Sequence, residues 1–132
     1  MTVLLAYSRN PEGDAALDAA LAEALRRETD AVVVNVTPAA ADAGAPFSEE
    51  QSLDAVSARF AAVDVPVSVR QLPAHPDAAD TILEVAAELR PEVIVIGLRR
   101  RSRVGKFVLG STTQQLLLEV DCPVLAVKAP TG

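Results

Sequence analysis

An open, doubly wound α/β fold, built on a five-stranded parallel sheet with helices on both faces, is predicted for this chain by three observations. Five short apolar runs alternate strictly with four segments of helical periodicity along 132 residues. Three of those runs, TVLLAY at 2–7, AVVVNV at 31–36 and VIVI at 93–96, carry almost no polar residue, the mark of strands covered on both faces. One loop alone, the one after the fourth run, is rich in both glycine and cations. Ligands bind such sheets where the strand order reverses, so that loop selects the order 3-2-1-4-5, with the reversal between strands 1 and 4.

The elements follow in order. Thr2 to Tyr7 forms the first strand, and Asn10-Pro11-Glu12 starts a helix with Asn10 as N-cap, proline at the first helical position and an acid favourable to the dipole. Leu17, Leu21 and Leu25 give that helix an inward stripe, and Asp30 ends it. Ala31 to Val36 is the second strand. Small residues and prolines from Thr37 to Pro46 read as a surface loop, after which Ser48-Glu49-Glu50-Gln51 fits a capping box for a helix with Leu53, Val56, Phe60 and Val63 inward. Val65 to Leu72 alternates apolar and polar, as an edge strand does, and Pro66 is tolerated there. A turn at 73–76 precedes a third helix from Asp77 to Leu89, with Ile82, Val85, Ala86 and Leu89 inward, and Arg90-Pro91 stops it. Val93 to Ile96 is the fourth strand and Gly97 ends it. The fourth helix has its first turn at Ser111 and Thr112, Asp121-Cys122-Pro123 breaks it, and Val124 to Val127 is the last strand.

Composition narrows the function. Hydrophobic residues make up 50% and charged residues 23%, which fits one globular domain over residues 1–132. A net charge of −6 argues against general nucleic-acid binding, which needs a positive surface. No apolar run approaches the roughly 20 residues of a membrane helix, and the amino terminus leads straight into a strand, so the expected setting is cytoplasmic. The one cysteine, Cys122, excludes an internal disulfide.

Charge placement says more than the total. Arg99, Arg100, Arg101, Arg103 and Lys106 fall in one loop, and no acid lies between Glu92 and Glu119. That loop runs into Gly110-Ser111-Thr112, where the free N–H groups of a helix start and the positive end of its dipole make an anion site. Other chemistry finds no constellation. His75 lacks metal-ligating partners at usable spacing, Ser111 has no base placed to activate it, and Asp77 with Asp80 reads as a helix N-terminal turn. A phospho-receiver domain would need carboxylates where this chain has Ser8-Arg9-Asn10 and Leu72-Pro73-Ala74.

The strand at 2–7 followed by Pro11-Glu12, the strand at 93–97, the Gly110-Ser111 turn and the closing Asp121-Cys122-Pro123-Val124-Leu125-Ala126-Val127 together resemble the universal stress protein family over nearly the whole length. The resemblance implies an adenine nucleotide alpha hydrolase-like fold. Nucleotide-binding members carry glycine, two residues, glycine, nine residues, glycine and then serine or threonine. Gly97 fits the first glycine, Gly110 the third and Ser111 the hydroxyl, while Arg100 stands at the second and Gly105 follows five residues later. Ser8 stands where ATP-binding members carry an aspartate. Arg100 either blocks close approach of a phosphate or supplies a bidentate donor in its place.

By that resemblance the ligand is ATP or a related adenine nucleotide, with magnesium as its companion ion. Gly97, Arg99, Arg100, Gly110, Ser111 and Thr112 would hold the phosphates, and Ala6, Tyr7, Ser8 and Val36 would flank the nucleoside. Two other readings stay open: a dimeric interaction protein without nucleotide, and a slow nucleotide hydrolase. A short apolar last strand at a sheet edge invites pairing with a second copy through Val124, Leu125, Ala126 and Val127, the same homodimer surface that the resemblance implies.

Overall fold

The computed structural model describes residues 2–37, 47–98 and 110–129, and for residues 47–52 the backbone alone. Strands β1 (Thr2–Ala6), β2 (Asp30–Thr37), β3 (Val67–Pro73), β4 (Val93–Leu98) and β5 (Val124–Lys128) alternate with helices α1 (Pro11–Arg27), α2 (Phe47–Ala61), α3 (Ala78–Leu89) and α4 (Ser111–Glu119). The strands pair in parallel in the order β3-β2-β1-β4-β5, as the position of the cation-rich loop predicts.

Alternation along the central strands sorts their side chains into two cores. Val3, Leu5, Val33 and Val95 face α1 and α2, where Leu17, Leu21, Val56 and Phe60 complete one cluster. Leu4, Val32, Val34, Ile94 and Ile96 face the opposite layer, against Ile82, Val85 and Leu116. Leu4, Leu5, Ile94, Phe60 and Leu116 are completely buried, and each such side chain contributes about 1.5–3 kcal/mol relative to exposure. With β1 and β4 covered on both faces, polar groups fit only at the strand ends, and there the sequence becomes polar.

Several boundaries differ from the sequence reading. Helix α1 ends at Arg27 rather than Asp30, because Glu28 takes a left-handed conformation (φ 51°, ψ 52°) and turns its N–H back onto Ala24 and Leu25, which frees Asp30 to open β2. Leu25 is 49% exposed; the inward stripe runs instead through Ala16, Leu17, Ala20, Leu21 and Ala24, whose alanines bring the helix close to the sheet. Val63 lies past the end of α2 and is 39% exposed. Asp64, again left-handed, turns the chain so that Val65 is buried outside the sheet, and β3 begins only at Val67. Pro73 closes β3 opposite Thr37 rather than opening a turn. Gly97 does not end β4, since Gly97 and Leu98 still pair with Val127 and Lys128. The side chains of the capping box at 48–51 and the loop at 38–46 fall outside the described residues.

Asn10 caps α1 as expected, its Oδ1 accepting from the Gly13 N–H at 2.6 Å. Gly13 itself is needed for space. A Cβ built there would lie 1.7 Å from the Ser8 carbonyl oxygen, so only glycine lets the first turn of α1 sit against the exit of β1. Gly13→Ala is therefore expected to lower stability by about 2 kcal/mol despite the better helix propensity of alanine, worth about 1 kcal/mol. Urea unfolding measures this, and a variant as stable as the parent would refute the close approach.

Candidate functional site

Strands β1 and β4 lie side by side as far as Ala6 and Ile96, and beyond that pair they part. The chain leaves β1 for α1 on one face of the sheet, whereas α4, which follows β4 in the chain, packs on the other. Their divergence opens a crevice at the C-terminal edge, the reversal point of the strand order. The crevice encloses about 560 Å³, inside the range that holds a small organic ligand.

Three helix starts meet there. Asn10, Glu12 and Gly13 of α1 form one wall with Tyr7 and Ser8; Gly110, Ser111, Thr112 and Thr113 of α4 form a second. Ala78 and Ile82 from α3, with Ala6, Val34, Val36 and Ile96 from the strands, make an apolar floor. Of the residues singled out in the sequence, Ala6, Tyr7, Ser8, Val36, Gly97, Gly110, Ser111 and Thr112 all line this one cavity. Arg99 and Arg100, with Arg101, Arg103, Gly105 and Lys106, lie outside the described residues.

The helix starts differ in electrostatics. In α1 the Asn10 side chain takes up a first-turn N–H, and Glu12 and Asp14 add negative charge. In α3 Asp77 does the same toward the Asp80 N–H at 2.9 Å, with Asp80 beside it. Helix α4 has neither device: Gly110 carries no capping side chain, and its first turn holds no acid. The N–H groups of that turn and the positive end of the dipole therefore face the crevice with no carboxylate in their own turn to offset them. Among the described residues space is left there as well, since none comes within 4 Å of a Cβ at Gly110. Gln115, donating to Asp80 Oδ1 at 3.0 Å, fixes α4 against α3.

Gly97 also lines the cavity, and its missing side chain serves a packing role. A Cβ there would come within 2.4 Å of the Glu12 carbonyl oxygen, so glycine allows α1 to close against β4. Sequence reading did not single out Gly13, Glu12, Ala78, Ile82, Val34, Ile96 or Thr113 as site residues. Topology would have found the helical ones, since the helix of each βα unit starts at the C-terminal edge of the sheet.

Among the described residues, no group of three or more histidine, cysteine, aspartate or glutamate side chains is disposed to hold a metal ion. Burial pushes the Cys122 thiol above its ordinary range, which disfavours the reactive thiolate.

The profile of the Universal stress protein family matches residues 1–128. The chain belongs to the universal stress protein family. Its sequence is 40% identical over 126 residues to a universal stress protein of Mycolicibacterium smegmatis, covering 96% of each chain. Among solved structures, it is similar to a universal stress protein from Archaeoglobus fulgidus in complex with dAMP (21% identity, TM-score 0.71, 96% of both chains covered). It is similar also to a family protein from Arabidopsis thaliana with AMP bound (18% identity, TM-score 0.70), over 99% of this chain and 93% of the other. These likenesses at low identity establish the shared fold.

Tyr7 offers a spectroscopic handle on this site. It is 5% exposed, and its hydroxyl donates to Asp14 Oδ1 at 3.2 Å. Burial first, then the Asp14 charge and the hydrogen bond, raise its pKa above the ordinary 10.0. A raised value in the folded state means that the protonated phenol favours folding, a contribution complete below the unfolded pKa and lost as pH rises through the folded one. The chain has one tyrosine and no tryptophan, so tyrosinate absorbance reports Tyr7 alone. Its midpoint is expected above 10.0, with Asp14→Asn lowering it only part way; a wild-type midpoint at or below the ordinary value would contradict the buried geometry.

Proposed function

We propose that this chain binds an adenine nucleotide of the ATP type in the crevice between the C-terminal ends of β1 and β4. The observation that carries the reading is the start of α4: an uncapped, acid-free helix N-terminus that opens on a cavity of about 560 Å³ with an apolar floor. Phosphates would take the N–H groups and hydroxyls of Ser111 and Thr112 beside Gly110, and the base would rest on Val36, Ala78 and Ile82. Gly97 would stand with Ser111 and Thr112 at the phosphates, and Ser8 would flank the nucleoside. The cation-rich segment from Arg99 to Lys106 would add positive charge at the phosphate end. Related proteins whose structures hold AMP and dAMP support the ligand class.

Isothermal titration with ATP, ATP with magnesium, and AMP tests the proposal, and no heat at millimolar nucleotide would end it. Gly110→Asp separates site from fold. The residue has φ −65° and ψ 158°, an extended geometry from which aspartate caps a helix well. Stability should thus rise by a few tenths, about 0.3 kcal/mol, while nucleotide affinity falls by about tenfold or more because a carboxylate then occupies the anion site.

A second reading, assembly as a dimer whether or not nucleotide binds, is supported by the surface of α4 and β5. Leu117 is 44%, Leu118 84% and Leu125 37% exposed, and β5 is the outer strand on its side of the sheet. Pairing of two β5 strands through 124–127 would complete the edge and cover apolar surface. Light scattering at micromolar concentration should give twice the chain mass, reduced toward one chain by Leu125→Lys. A monomeric parent protein would overturn the dimer.

A further inference from the structure

We propose that Asn35 is a positioning residue of the crevice: it holds the Tyr7–Ser8 peptide so that the Ser8 N–H donates to an oxygen of the bound ligand. The inference rests on the nucleotide reading above and adds to it a donor on the wall opposite α4.

The argument starts at the end of the β1–β2 ladder. Tyr7 N–H donates to the Val34 carbonyl at 2.9 Å, so Tyr7 still turns its backbone toward β2. Its carbonyl points the same way, as both groups of one strand residue do, and there it meets the Asn35 side chain at 3.1 Å. A carbonyl only accepts, so the atom that meets it is the amide nitrogen Nδ2. That leaves Oδ1 for the neighbouring strand, and Gln71 Nε2 donates to it at 3.3 Å. Asn35 is 5% exposed and so has little water to compete for these bonds. Gln71 thereby fixes which way the Asn35 amide faces, and Asn35 fixes the Tyr7 carbonyl.

Pinning one end of a peptide plane aims the other. The Tyr7–Ser8 bond is trans, and in a trans peptide the carbonyl and the following N–H point in opposite directions. With the Tyr7 carbonyl directed at β2, the Ser8 N–H is directed toward β4. A continuing ladder would have paired it there, but β1 and β4 stop pairing at Ala6 and Ile96. Among the described residues no acceptor meets the Ser8 N–H, and Ser8 lines the crevice. The Ser8 carbonyl is engaged by the Asn10 N–H at 2.9 Å, which holds the following peptide too. What remains is one backbone donor, rigidly oriented, at the mouth of a cavity whose far wall is an anion-seeking helix start. Its complement is an acceptor oxygen, either a sugar hydroxyl or a phosphate oxygen.

The test leaves the buried Asn35 in place and reverses it from the surface. Gln71 is exposed, so the fold tolerates change there. Gln71→Glu offers an acceptor in place of the donor and so favours the amide turned around, with Oδ1 against the Tyr7 carbonyl; Gln71→Lys keeps a donor. Backbone amide spectra are recorded for each protein alone and with AMP, adenosine and inorganic phosphate. In the parent protein AMP should shift the Ser8 amide and slow its hydrogen exchange, and whichever of adenosine and phosphate reproduces the change identifies the oxygen. Gln71→Glu should weaken AMP binding by about three- to tenfold, the size of one hydrogen bond, with the Tyr7 carbonyl resonance moved; Gln71→Lys should stay closer to the parent. AMP binding with an unmoved Ser8 amide, or equal AMP affinity in Gln71→Glu, overturns this inference while the nucleotide reading stands. A parent protein that binds none of the three probes brings down both.

Discussion

The parting of β1 from β4 after Ala6 and Ile96 is the constraint on which the rest of the site depends. Each strand must leave the sheet toward a different face, because α1 packs on the Leu5 side and α4 on the Ile96 side. Two neighbouring strands cannot do this and keep pairing to their tips. The ladder therefore ends early, and the backbone groups beyond it are delivered to a gap rather than to each other. In the centre of a sheet such groups would destabilise the protein. Here they face an open crevice that water can enter, so the cost is small and a hydrogen-bonding surface results. The crevice follows from topology before any particular side chain is chosen.

The crevice would still be filled or shapeless without close packing around its rim. Gly13 and Gly97 set that rim by letting α1 approach both diverging strands, one against the Ser8 carbonyl and the other against the Glu12 carbonyl. Asn35 and Gln71 then hold the exit of β1 from the β2 and β3 side. The wall is consequently made of backbone at fixed orientation, which loses little conformational freedom when a ligand arrives. On the other side Gln115 and Asp80 couple α4 to α3.

The fold was legible in the sequence because its two strongest signals agree. Apolar runs such as Val93 to Ile96 mark buried strands, and cap signals such as Asn10-Pro11 and Asp77 mark helix starts, so both element type and order followed. Boundaries were less legible. Glu28, Asp64 and Arg90 are non-glycine residues that adopt positive φ, and no local pattern distinguishes them from ordinary helix or turn residues; tertiary packing imposes the turn. Leu25 matched the helical stripe by spacing and is exposed, because Ala24 and Leu21 already fill the contact. Half of the cavity lining was legible for a different reason: Gly110, Ser111 and Thr112 mark a helix start after a cation-rich segment, and the family resemblance points to Ala6, Tyr7, Ser8 and Val36 at the ends of β1 and β2. The floor was not, since Ala78, Ile82, Val34 and Ile96 look like any core residue until the sheet places them at its edge.

The electrostatic logic of the molecule is one of selective neutralisation. With a net charge of −6, the long-range field disfavours anions, and only a local device can reverse that. Of the three helix starts around the crevice, α1 and α3 answer their own dipoles with Asn10, Glu12 and Asp14, and with Asp77 and Asp80, whereas α4 leaves its dipole unanswered. Dipole effects decay within a turn, so this contrast acts only on a charge seated at Ser111 and Thr112, inside the crevice, where less water screens it. Among the helix starts that line the crevice, the start of α4 is thus the one whose dipole is unopposed by its own first turn, opposite the backbone held by Asn35.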